Sequence, residues 1–344
     1  MTTSAEGVSD RIHHAVLRDM AWLLATPDLV ALGNYPGRPS NATLGLDGGQ
    51  QAWLQTLAPN VAALDGQLAT RMGHYHERLW HLLLDNAPNT RLLAHNLRIT
   101  HRRNTLGELD MLYRTRENPA PVHLEVAIKF YLGLPEGPGD AACQSRWIGP
   151  GGLDSLALKY SHLLHHQLPL SRTPQAKAAM AHWLAPRDIA EPTTLSARLT
   201  QRLALPGVLF YPWHATLPPP VGATAEHRRG WWCHQHAWLS VAEHYSAALQ
   251  LARLTKPHWL APPPLDAFGA AKQRMPDVMA QVDRYGPQQV MLYDPQKEQE
   301  GAHYEERPLT RLMVVPDDWP HQIPLPPKRR GQPMFKSPRD CRDG

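Results

Sequence analysis

Two short stretches, GELDMLYR (residues 107–114) and HLEVAIKF (residues 123–130), carry the side chains best suited to chemistry. Glu108 and Asp110 are two apart, so on a strand they share a face. In the second stretch Val122, Leu124, Val126, Ile128, Phe130 and Leu132 alternate with His123, Glu125, Ala127, Lys129 and Tyr131. Side chains of a strand point alternately to its two faces. One face therefore suits a core, and the other presents a carboxylate and an ammonium. If the two strands pair, Asp110 and Glu125 come within reach of one hard cation. Two carboxylates with a backbone carbonyl and waters suit Mg²⁺ (or Mn²⁺), which takes oxygen ligands and keeps several waters. Lys129 on the same face would orient or deprotonate an attacking water. The same alternation also fits an exposed sheet face with cross-strand ion pairs, Glu125 with Arg114 among them.

The elements around these residues follow from periodicity. Residues 64–86 predict a helix. Leu68, Met72, Tyr75, Leu79, Leu82 and Leu83 form one apolar stripe, and Gly73, Glu77, Trp80 and Leu84 lie nearly opposite. A helix apolar on two sides is covered on both, which makes Glu77 a partly buried carboxylate. Gly73 would allow close approach one turn earlier. Strands are predicted at 91–100, 107–115 and 122–132, the last two as an antiparallel hairpin. Residues 153–167 predict a helix with Leu153, Leu156, Tyr160, Leu163 and Leu164 on its core side. Ser155, Lys159, His162 and His166 lie on its polar side. GVLFY (207–211) predicts a further strand. Elsewhere, helices are expected at 8–25, with Ser9 as N-cap, at 51–57 and around 231–255. Strands are expected at 289–293 and 310–315.

The chain has 344 residues, 42% hydrophobic, with 34 prolines, 11 tryptophans and 20 histidines. That is enough apolar content for a buried core, and the prolines predict many reversals. The tryptophans are expected to be packing anchors. A net charge of +4 permits a nucleic-acid partner without requiring one. Three widely spaced cysteines, Cys143, Cys233 and Cys341, do not make a disulfide framework. The N-terminus has no apolar signal core, and no run approaches 18 apolar residues, so no membrane span and a reducing cytoplasmic setting are expected.

GELDMLYR followed by HLEVAIKF resembles the PD-(D/E)XK, restriction-endonuclease-like nuclease core, over roughly residues 65–215. The resemblance implies an α/β fold in α-β-β-β-α-β order, a mixed sheet between helices. It implies Mg²⁺-dependent phosphodiester hydrolysis in DNA or RNA, with Asp110 and Glu125 on the metal and Glu77 as the acid from the first helix. The motif lysine is two residues after the glutamate, where this chain has Ala127. Lys129, four residues on, lies about 13 Å from Glu125 along an extended strand. Lys129 or Lys159 would have to fill the place beside Ala127. The rival expectation is a catalytically inactive nuclease-fold protein that binds nucleic acid or a protein. At closer range, LEVAIKFYL, RWIGPGGLDSLALKYSHLLHHQLPLS and GVLFYPW resemble a bacterial domain-of-unknown-function family, number 1853, which implies no activity of its own.

Arg71, Arg78, Arg91, Arg98, Arg102, Arg103, Arg114 and Arg116 crowd the proposed core, and such a distribution suits phosphate contacts. Arg102, Arg103, Arg114, His162 and His166 are the expected nucleic-acid contacts. CHQH (233–236) has too few partners for a zinc site, and the histidine-bearing helix lacks an HExxH motif. No GxSxG elbow or phosphate-binding loop occurs. The expected organisation is an N-terminal helical region (1–60), the core (61–215), an α+β extension (216–325) and a disordered basic tail (326–344).

Overall fold

The computed structural model describes residues 14–31, 33, 35–58, 61, 71–184, 198–297 and 308–325. Ser9, Leu68, Cys341 and the basic tail lie outside these residues. In chain order the elements begin with helices α1 (Ala15–Ala25), α2 (Asn41–Leu44), α3 (Gln50–Thr56) and α4 (Met72–Asn86). Strands β1 (Thr90–His101), β2 (Asn104–Thr115), β3 (Val122–Val126), β4 (Lys129–Gly133) and β5 (Trp147–Ile148) follow. Helix α5 (Leu156–His162) runs through a π-helical stretch, Leu163–Gln167, into α6 (Leu168–Leu170), and α7 spans Pro174–Leu184. After β6 (Thr200–Ala204), β7 (Gly207–Pro212) and β8 (Arg229–His234) come α8 (Trp238–Ala242), β9 (Gln250–Leu254) and β10 (Gly269–Ala270). The last elements are α9 (Ala271–Tyr285), β11 (Gln288–Tyr293) and β12 (Leu309–Val315).

The chain forms two compact units, each assembled from separate stretches. The first unit takes Met1–Leu29, Lys129–Lys159 and Gly207–Gly344; the second takes Val30–Ile128 and Tyr160–Pro206. Their bounds cut across the contiguous expectation of a core at 61–215, because 129–159 and 207–215 belong to the first unit.

The second unit holds a four-stranded mixed sheet in the order β1-β2-β3-β6. β1 and β2 form a long antiparallel hairpin from Thr90↔Thr115 to His101↔Asn104, closed by Arg102 and Arg103, with Arg102 at φ 57. β3 pairs antiparallel with β2 at Met111↔Leu124 and parallel with β6 at Glu125↔Leu203. Leu109, Leu112, Leu170, Ala176, Met180 and Leu184 lie in one apolar cluster of this unit. In α7, Ala176, Met180 and Leu184 are spaced four apart, which places them on one side. Helix α4 is buried on both sides, through Tyr75, His76, Leu79, Trp80, Leu83 and Leu84. Gly73 is exposed and nothing lies near its missing Cβ, so it serves no close approach.

The first unit holds an eight-stranded mixed sheet, β10-β9-β11-β12-β8-β7-β4-β5. β4, β7, β8 and β12 run parallel to one another, and the outer strands pair antiparallel. A Cβ on Gly207 would meet the Lys129 carbonyl oxygen at 1.8 Å, so β7 can lie this close to β4 only as glycine. Met275, Val278 and Val282 of α9 pack with Val290, Leu292, Leu312 and Val314 of the sheet.

Several expected elements are corrected. The strand over 122–132 is two strands, β3 and β4, in different sheets; Ala127 leaves the first sheet with its N–H on the Ala204 carbonyl at 2.9 Å. Both halves alternate apolar and polar residues, so nothing in the pattern marks the break. Leu153 is 78% exposed rather than in a core stripe, because the helix starts at Leu156 and Gly149–Asp154 forms a turn before it. The region 231–255 begins in β8 and ends in β9, and its helical part is confined to a 3-10 turn, Gln235–Ala237, and the five-residue α8. Strand β6 (TQRLA) and helix α9 stand where no element was expected.

Candidate active site

Asp110 on β2 and Glu125 on β3 come together in the second unit. They occupy directly facing register positions, close enough for the Glu125 charge to act on Asp110, and Asp110 Oδ2 accepts the Val126 N–H at 2.9 Å. Antiparallel pairing around Met111↔Leu124 places the two acids on facing positions of neighbouring strands. Burial and then the nearby Glu125 charge raise the Asp110 carboxyl to about 8. The Val126 N–H opposes that rise, while the charge of Glu77 and the Glu125 hydrogen bond add to it. At neutral pH Asp110 therefore holds a proton against a neighbouring carboxylate, as two like charges brought together out of water require.

Glu77 reaches the same place from α4. Asn96 Nδ2 and His74 Nδ1 each lie 3.5 Å from its Oε2. His123, two residues before Glu125, was not singled out by the sequence reasoning. Its Nε2 lies 3.1 Å from Glu125 Oε1, and both side chains are 0% exposed. Burial lowers the imidazole to about 4, against the pull of Asp110. The ring is neutral at pH 7, so Nε2–H donates to the carboxylate, while Nδ1 is buried with no hydrogen-bond partner. The i, i+2 spacing of a histidine and an acid on one strand was the available signal.

The lysines are elsewhere. Lys129 starts β4 in the first unit, where its Nζ donates to Asp154 Oδ2 at 2.6 Å; Tyr131 OH donates to the same oxygen at 3.1 Å. Lys159 lies in α5 at the end of the first unit's second stretch. Neither a lysine nor an arginine is among the groups acting on Asp110. Arg102 and Arg103 are exposed at the hairpin turn, and Arg114 sits opposite Arg91 rather than beside Glu125. His162 and His166 stack with ring centroids 5.3 Å apart.

Among the described residues no group of three or more His, Cys, Asp or Glu side chains is placed to hold a metal ion. Asp110 and Glu125 are therefore a two-carboxylate donor set, which fits a cation that keeps its own waters rather than one needing a closed protein cage. The shared proton supports that fit, since a divalent cation would replace it and relieve the same repulsion. CHQH is not such a site. Burial, and then Asp317, push the Cys233 thiol up to about 12. The His234 Nε2 is 2.8 Å from the Trp319 carbonyl, and His236 pairs with Asp317 at 2.9 Å.

The structure is a mixed α/β protein whose sheets are flanked by helices, and no helix among the described residues is long and apolar enough to cross a membrane. The chain belongs to the family described as Domain of unknown function (DUF1853), whose model matches residues 18–315. No curated protein and no solved structure matches it.

Proposed function

We propose that the chain is a metal-dependent nuclease with a PD-(D/E)XK-like site in its second unit. The observation that carries this reading is the Asp110–Glu125 pair, set on facing register positions of adjacent antiparallel strands, with Glu125 buried and Asp110 under its charge. The element order supports it: α4, then β1, β2 and β3, then the helices before β6, with β6 parallel to β3. Asp110 and Glu125 would hold Mg²⁺ or Mn²⁺. When bound, the cation supplies Lewis-acid charge for phosphodiester hydrolysis. His123 fixes the Glu125 carboxylate through Nε2–H, and Glu77 adds negative charge beside Asp110. Val126 N–H orients Asp110 by holding one of its oxygens.

A second reading is a nuclease-fold protein that binds nucleic acid or a protein without cutting. Ala127 at the lysine position favours it, as does the engagement of Lys129 with Asp154 in the other sheet. The test is purified full-length protein with Mg²⁺ or Mn²⁺ on single-stranded, double-stranded and branched DNA and RNA, beside Asp110→Ala, Lys129→Ala and Lys159→Ala. The nuclease reading expects cleavage lost with Asp110. Cleavage that survives Asp110→Ala, or no cleavage of any substrate, overturns it. Loss on Lys129→Ala or Lys159→Ala would return that lysine to the reaction.

A further inference from the structure

The tryptophans of the first unit divide into two kinds. Trp147 and Trp232 are fully buried, and Trp232 Nε1 donates to the Gly133 carbonyl at 3.0 Å. Trp231, the next residue along β8, is 38% exposed. Strand alternation places it on the same side as Arg229, which is also exposed. Its partner across to β7 is Tyr211.

From there a row of rings continues. Tyr211 and Trp231 have centroids 6.5 Å apart, Trp231 and Trp213 5.7 Å, and Trp213 and Tyr245 6.4 Å in a stacked arrangement. Exposed His244 sits edge-on to Trp213 at 5.0 Å. Each end of the row carries a cation. The Arg229 guanidinium lies 3.9 Å from the Tyr211 ring centroid, and the Lys297 ammonium lies 4.3 Å from that of Tyr245. Lys297 is fixed there by donating to the His244 carbonyl at 2.9 Å. Asp294 accepts from the Ser246 N–H at 2.9 Å and from its hydroxyl at 2.5 Å.

Arg229 also opens onto a cavity of about 220 Å³. Arg228, Arg229 and Arg311 line it with one acid, Glu226, and the Arg311 guanidinium is held by the Trp259 and Leu260 carbonyls at 2.9 and 2.6 Å. His227, also in the lining, faces the Thr224 carbonyl with Nδ1 and the Tyr211 hydroxyl with Nε2 at 2.9 Å. The arginine beside the ring row, Arg229, carries a guanidinium whose fork matches phosphate oxygens.

We infer that this face of the first unit binds single-stranded nucleic acid, with a base on the exposed Trp231 beside Trp213 and a strand-end phosphate at the cavity next to Arg229. Aromatic rings offer sequence-tolerant stacking, and the flanking cations follow the backbone. A proline-rich peptide also takes aromatic grooves, but it has no use for cations at both ends and an arginine cavity beside one of them. The inference stands apart from the Asp110–Glu125 reading, because no residue is shared.

The test is fluorescence anisotropy of the full-length protein with labelled oligothymidylate and oligouridylate of about ten nucleotides. Each is used with a 5′-phosphate, a 3′-phosphate and no terminal phosphate. Trp231→Ala is expected to weaken binding about tenfold and Trp231→Phe to restore most of it. Arg229→Gln is expected to weaken binding and to lower the slope of log affinity against log salt by about one. Both residues are exposed, and circular dichroism checks that the variants fold. One terminal phosphate should tighten binding in the parent and lose that advantage in Arg229→Gln. Absence of saturable binding, indifference to Trp231→Ala, equal affinity with and without either phosphate, or tighter binding of a proline-rich peptide would overturn the inference. Asp110→Asn separates the two readings. Binding by the parent without any cleavage, or cleavage that survives Asp110→Asn, sinks the nuclease and leaves this site standing, whereas cleavage lost in Asp110→Asn with binding indifferent to Trp231 does the reverse.

Discussion

The two units treat charge in opposite ways. In the second, Asp110, Glu125 and Glu77 bring like charges together out of water, and the cost shows as a carboxyl raised to about 8. In the first, the notable charges meet either the opposite sign or an aromatic face. Lys129 meets Asp154, Arg253 lies 3.8 Å from Asp277, and Arg229 and Lys297 cover rings. An arrangement that adds stability needs no further ligand. One that repels itself marks a candidate functional site. The contrast therefore separates a strained acidic pair in one unit from compensated cations in the other.

The contrast can be broken at several points. The largest effect is expected on the nuclease reading, where Asp110→Ala should lower cleavage about a thousandfold, or about 4 kcal/mol of transition-state stabilisation. Initial rates with Mg²⁺ measure it, and Trp231→Ala at saturating substrate should leave them within a few-fold. Next, Gly207→Ala drives a Cβ against a backbone carbonyl that cannot move alone, so a loss of about 4 kcal/mol or failure to fold is expected in denaturant titration. Its counterpart in the second unit, Met180→Ala, leaves a cavity in a fully buried cluster and should cost about 3 kcal/mol.

The pH dependence at Asp110 tests the repulsion directly. Its folded-state pKa is above the value in the unfolded chain, so its stabilising contribution is present below about pH 4 and lost as pH rises towards 8. Asp110→Asn keeps an acceptor for the Val126 N–H and removes the charge. It should melt at the parent's temperature at pH 4 and a few degrees higher at pH 8, on the order of 2 kcal/mol. Mg²⁺ should raise the parent's melting temperature and not the variant's. A variant less stable than the parent at pH 8 would sink the account. The smallest effect is at Lys129–Asp154. A double-mutant cycle should give a coupling of about 0.5–1 kcal/mol for this partly exposed pair. Zero coupling would mean that the ammonium has another task.

Much of the candidate site was readable from residue spacing. The period of two in GELD and HLE put Asp110 and Glu125 on facing strands, and the double apolar stripe of 72–86 made α4 a helix buried on two sides with Glu77 at its edge. His123 was visible only as a polar residue on the right face. That it clamps Glu125 depends on burial, which drives the imidazole neutral and leaves one N–H to donate. The C-terminal half was read poorly. β8 combines three buried residues with exposed Arg229 and Trp231, so its composition resembles a packed helix as much as a strand.

The sequence alone determined which residues could form strands, which carried charge, and that two acids would meet. Local alternation is set by the backbone and needs no partner to be seen. Only the tertiary structure decided where HLEVAIKFYL divides. Val122–Val126 is claimed by β2 and β6, and Lys129–Gly133 by β5 and β7, through hydrogen bonds to residues distant in the chain. The alternating pattern runs unbroken through Ala127 and Ile128, so periodicity carries no mark of the change of sheet. That choice sent Glu125 to the acidic pair and Lys129 to Asp154.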